Sequence, residues 1–152
     1  LRYLAVPVTI RIAADAQLSR ALRAIAAGLA VGSRPTVSSP VALPTAVQAA
    51  LAAAGVRVLF QDEAGWADYL SALAAKDGAA AGARIRIVAG ASRAELVAAV
   101  YAATGGKPDI AVYGGDVVGA GRVEMLPHLH EQAVSITAHR FGTPNKLSDG
   151  LI

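Results

Sequence analysis

The feature that most constrains this chain is a rhythm: short strand-like apolar segments alternate with longer segments of helical periodicity. "AVPVTIRI" (5–12) puts Val6, Val8, Ile10 and Ile12 at every second position, the period of a strand. Leu18, Ala21, Leu22 and Ile25 then recur at helical spacing, with Asp15 placed to cap that helix and Gly28 to end it. "LAVGSRP" (29–35) reads as a short strand, and Pro44 to Ala54 as a helix with Pro in its first turn and Gly55 just past its end. "VRVLFQ" (56–61) is a strand, and Asp62 precedes a helix through Trp66, Tyr69, Leu70 and Leu73. "RIRIVAG" (84–90) is a further strand. "SRAE" (92–95) has the spacing of a capping box ahead of Leu96, Val97, Val100 and Tyr101, and "DIAVYGG" (109–115) is the next strand. This alternation predicts an α/β fold: a Rossmann-like, mostly parallel sheet with helices on both faces.

After Gly119 the rhythm stops. "RVEMLPHL" and "QAVSIT" read as two extended segments joined near Pro127–Glu131. The expected organisation is an α/β core over 1–118, with a C-terminal β-hairpin (a β-flap) and extended tail over 119–152, in one compact domain. "AAKDGAAAGA" (74–83) reads as a flexible connection.

Composition narrows the function classes. Of the 152 residues 55% are hydrophobic and mean hydropathy is +0.47, but much of the excess is alanine in helical patterns. No apolar run reaches the roughly 18 residues of a spanning helix, so no membrane span is expected. The absence of cysteine removes disulfides, thiolate metal sites and a cysteine nucleophile, and fits a cytoplasmic setting. The net charge is only +3 and the basic residues are scattered among few aromatics, so nucleic acid is not an expected partner. The chain begins at Leu1 and its one Met is Met125, which reads as a piece excised from a longer polypeptide.

Few residues offer chemistry. "GGDVVGAG" (114–121) has the glycines of a dinucleotide loop, but Gly119 and Gly121 lead into a segment read as extended, so they are expected to be turn glycines. "VAGAS" (88–92) does join a strand to a helix and has the context to hold an anion. His128 and His130 share one face if extended, but a metal needs three or four converging ligands. Ser33, Ser38 and Ser39 lie in a proline-bracketed loop with no nucleophile elbow. No catalytic, cofactor-binding or metal-binding residue is expected in this chain.

"LPHLHEQAVSITAHRFGTPNKLSDGLI" (126–152) resembles the C-terminal end of the bifunctional proline utilization A family, and "ALRAIAAGLAVGSRP" (21–35) resembles the same family's C-terminal region. The second stretch is also similar to the aldehyde dehydrogenase segment in which a helix, an AAGN-like turn and a strand lead to a Lys-Pro-Ser-Glu motif. The resemblance implies a parent with a flavin-dependent proline dehydrogenase module and an NAD-dependent glutamate-semialdehyde dehydrogenase module. It implies that this chain is their added, non-catalytic C-terminal domain. Such a domain packs on the aldehyde dehydrogenase module, helps close the tunnel that carries the intermediate, and can dimerise through its hairpin. FAD and NAD would belong to the parent and not to this piece. With the motif set on Arg34, Pro35, Thr36 and Val37, the ribose-binding Glu becomes Val37.

The tail supplies the expected interaction residues. Val134 and Ile136 share one strand face, and a hairpin with open edges is a template for strand addition. With Glu131 before them and His139, Arg140, Phe141 and Gly142 after, they offer ion-pair groups, an aromatic anchor and a turn.

Overall fold

The computed structural model describes residues 2–76 and 83–133. In chain order the elements are β1 (Arg2–Ala5), β2 (Thr9–Ile12), α1 (Leu18–Ala30), β3 (Thr36–Ser39), α2 (Thr45–Ala53) and β4 (Arg57–Phe60). They continue with α3 (Glu63–Ala74), β5 (Ala83–Val88), α4 (Arg93–Thr104), β6 (Ile110–Tyr113) and α5 (Gly121–Met125). A 3-10 turn (Leu126–His128) then leads into β7 (Leu129–Gln132).

Five strands form one parallel sheet in the order β4-β3-β2-β5-β6. Counted from β2, this is 3-2-1-4-5, the Rossmann order, with its reversal between β2 and β5. Side-chain alternation divides the core between the two faces. Val8, Ile10, Ile12, Val37 and Val88 pack under α1 and α2 with Ala21, Ala24, Ile25 and Leu51. Ile85, Ile87 and Ile110 pack under α3 and α4 with Trp66, Leu70, Leu96 and Val100. The expected α/β fold with helices on both faces is therefore present.

A separate antiparallel pair, β1 with β7, carries the C-terminal strand, with Leu4 opposite His130 and Tyr3 opposite Glu131. Its partner strand comes from the other end of the described chain. "RVEMLPHL", read as extended, is instead α5 and the 3-10 turn. A helix of five residues is too short to show a 3.6-residue period, and Pro127 is accommodated in the turn's opening positions, where its missing N–H costs nothing.

Three local expectations shift for identifiable reasons. "LAVGSRP" is not a strand: α1 runs through Ala30, Gly32 turns the chain at a φ of 76°, and β3 starts at Thr36, whose N–H donates to the Val8 carbonyl. Asp15 does not cap α1, whose N-cap is Gln17 without a side-chain bond. Ser92 accepts no capping bond for α4; its hydroxyl donates to Asp15. Asp62 does cap α3, accepting from the Gly65 N–H at 2.8 Å, and Gly55 follows α2 at a φ of 71°.

Candidate functional site

In an open α/β sheet ligands bind beyond the carboxyl ends of the strands, where the strand order reverses. Here that place lies between the β2–α1 and β5–α4 loops. The first is Ala13-Ala14-Asp15-Ala16-Gln17 and contains no glycine. The second is Ala89-Gly90-Ala91-Ser92, the glycine turn noted above as fit to hold an anion. It does hold one, from within the chain. The Asp15 carboxylate accepts from the Gly90 N–H at 3.1 Å, from the Ser92 N–H at 2.9 Å and from the Ser92 hydroxyl at 2.8 Å. These bonds hold the Asp15 pKa below its ordinary value of 3.8, the Ser92 N–H first and the Gly90 N–H second. A Cβ at Gly90 would come within 2.9 Å of the Asp15 carbonyl oxygen, so the glycine is what lets the two loops meet.

The surroundings repeat this arrangement. The crevice beside Asp15, about 390 Å³, is lined by Glu63, Ser92 and Glu95, so its charge is acidic and unsuited to a pyrophosphate. Glu63 itself pairs with Arg11 of β2 at 2.8 Å, and Arg11 is fully buried under Trp66. The neighbouring space beyond β2 and β3 is only about 140 Å³, filled in by Val41, Ala42 and Leu43. That is below the ~300 Å³ of a small-ligand pocket. A Lys-Pro-Ser-Glu motif follows its strand, and β3 ends at Ser39. Arg34 to Val37 instead enter β3 at its amino end, and Val37 is buried in the core. The residues at the relevant end are Ser39, Pro40, Val41 and Ala42, again without a carboxylate. The alignment of that motif on Arg34 to Val37 therefore does not fall at the carboxyl end of β3.

The second glycine loop, 114–121, behaves the same way. It follows β6 and opens α5, and Glu124 Oε1 accepts the Val118 N–H at 2.9 Å. Glu124 also takes Arg86 of β5 in a forked contact, with Nη2 at 2.9 and 3.1 Å and Nε at 3.3 Å. Arg86 and Glu124 are both buried. The remaining Arg86 protons go to the carbonyls of Ile87, Tyr113, Gly115 and Asp116. Two positions earlier, Arg84 Nη1 donates to the carbonyls of Pro127 and Leu129 at 2.8 and 2.6 Å. The two arginines of "RIRIV" thus hold α5, the turn and β7 against the sheet.

His128 completes this dock. It is fully buried in the turn, while His130 is exposed on β7, so the two do not share a face. The His128 ring lies on Gly28 of α1, where a Cβ would approach to 2.7 Å. Gly28 is therefore a point of close contact inside α1 and not its end. Of the expected interaction residues, Glu131 is exposed on β7. Val134, Ile136, His139, Arg140, Phe141 and Gly142 lie outside the described residues. Among the described residues no group of three or more His, Asp and Glu side chains converges as metal ligands, and no helix is long and apolar enough to cross a membrane.

Sequence reading missed Asp15 as a plug, Arg84 and Arg86 as a dock, and Gly28 as its floor. One signal was available: arginines alternating with isoleucines in a central strand need buried acceptors. No protein-family model, curated protein or solved structure matches the chain.

Proposed function

We propose that this chain is a non-catalytic structural and interaction domain of a bifunctional proline-catabolic enzyme that converts proline to glutamate. In this reading it packs on the aldehyde dehydrogenase module of its parent and helps seal the channel for the intermediate. One observation supports the non-catalytic part: the Asp15 carboxylate takes the Gly90 and Ser92 amides of the glycine turn, groups that could otherwise hold a cofactor phosphate. FAD and NAD of the parent would then be held by its other modules, since the residues here do not fit a dinucleotide. The β1–β7 ribbon supports an interaction role. A two-stranded ribbon is marginal in water by itself, and this one exposes Tyr3 and Leu4, while α5 and the turn expose Val123 and Leu126. A homodimer through this ribbon is the other partner it would suit.

The functional test belongs in the parent enzyme. Phe141→Ala should leave proline dehydrogenase activity intact and introduce a lag in the coupled conversion of proline to glutamate. Burial of a Phe is worth roughly 1.5–3 kcal/mol, enough to shift a docking equilibrium tenfold. Following both products in a stopped assay decides it, and an unchanged coupled rate without a lag removes the channel-sealing role.

A second reading, a small-ligand-binding α/β protein, has one observation in its favour. A hollow of about 670 Å³ lies at the amino end of the sheet, lined by Val6, Thr9, Thr36, Tyr69, Arg84 and His130. Its position opposite the crevice where Rossmann-like sheets bind ligands makes it the weaker alternative. Saturable binding of a small carboxylate that Arg84→Met abolishes would promote it.

A further inference from the structure

His128 is a fully buried imidazole in which neither Nδ1 nor Nε2 has a hydrogen-bond partner. It sits in the turn that joins α5 to β7, and its ring rests on Gly28. Three charged side chains act on it: Glu124 from α5, and Arg86 and Arg84 from β5. From α1 the Ala24 carbonyl is the facing polar group, close enough to favour a protonated ring slightly but outside hydrogen-bonding geometry. The His128 carbonyl itself accepts the Val6 N–H at 2.9 Å, so the turn also anchors the link between β1 and β2. A ring in this setting is tolerated uncharged. A proton on it would add a third cation to two arginines and one carboxylate, buried away from bulk solvent.

We propose that His128 is the pin of an acid-released latch: a proton on its ring undocks residues 121–133 from the core and leaves the five-stranded sheet folded. The sheet has the means to survive release, because neither of its two core clusters includes a residue beyond Val117. Arg86 would keep its carbonyl partners on Ile87, Tyr113 and Gly115, with water replacing Glu124. Burial is the main cause that holds the ring's pKa below 6.5. Glu124 opposes that shift, Arg86 supports it, the Ala24 carbonyl opposes it and Arg84 supports it. The undocked form therefore takes up the proton first. The latch's full hold is present above pH 6.5 and is lost as pH falls from there through the docked value.

Residue-resolved amide exchange on the whole chain between pH 7.5 and 5 tests this, with rates corrected for intrinsic exchange. Protection of Leu129–Gln132 should fall by up to about tenfold per pH unit below 6.5, while Ile10 and Ile87 stay protected. In His128→Leu, which cannot titrate, that fall should vanish. An equal fall in the variant, or none in the wild type, overturns the proposal. If His128→Leu does not fold, ring NMR on the wild-type chain decides. The proposal expects ring protonation to coincide with loss of the β1–β7 signals, and a ring that titrates near 6.5 with those signals intact refutes it.

Discussion

Asp15 and Glu124 do similar work in two different media. Each is a carboxylate of the chain itself that accepts the backbone N–H of a loop following a strand of the parallel sheet. Asp15 is exposed and its partners are backbone amides and a hydroxyl. Glu124 is buried and also neutralises a buried arginine. Water can replace the partners of the first and not those of the second. One ties two exposed loops together, and the other holds a segment in place.

Removing each carboxylate should expose that difference, and Glu124 should matter most. Glu124→Ala leaves Arg86 buried without a counter-charge. Breaking a buried pair in this way costs about 3–5 kcal/mol, limited here by the cost of undocking 121–133 and letting water reach Arg86. The expected result is a clearly lower urea midpoint with fast amide exchange over β7. A midpoint within error of wild type would mean that the pair does not hold the dock.

Gly28→Ala comes next. The added methyl would meet the His128 ring at 2.7 Å, and overpacking of this kind costs about 1–3 kcal/mol. Replacing a helical glycine by alanine returns roughly 0.5–1 kcal/mol. The net sign therefore reports the contact. Gly28→Ala should destabilise alone and turn neutral or stabilising in a His128→Ala background, which a double-mutant cycle by thermal melting can read.

The parallel sheet was legible in the residues, because apolar sets such as Val8, Ile10 and Ile12, and Ile85 and Ile87, recur at period two between helical segments. The interior role of Arg84 and Arg86 follows from the same alternation, but their acceptors do not. Glu124 lies 38 residues from Arg86, on a helix too short to announce itself. Asp15 lies next to a helix start and 77 residues from Ser92. Local capping rules therefore assigned Asp15 and Ser92 each to its nearest helix, whereas tertiary contact joins them to each other. Gly28 illustrates the same limit, since a glycine near a helix end reads as a stop until a ring is found resting on it.

The smallest stability effect should come from Asp15→Asn, which keeps the shape and removes an exposed charge. The pH dependence gives the sign. Asp15's folded pKa is lowered, so its contribution is present above pH 3.8 and is lost as pH falls through the lowered value. Acid titration of the melting temperature should show wild type converging on the variant in that range. A variant that melts with the wild type at pH 7 and pH 3 alike would make the plug energetically idle.

Asp15 on the glycine turn sets the proposal that this Rossmann-like crevice takes no dinucleotide. Isothermal titration of the chain with NAD tests it most directly. No saturable heat is expected up to millimolar NAD, and saturable binding at micromolar NAD would overturn the proposal.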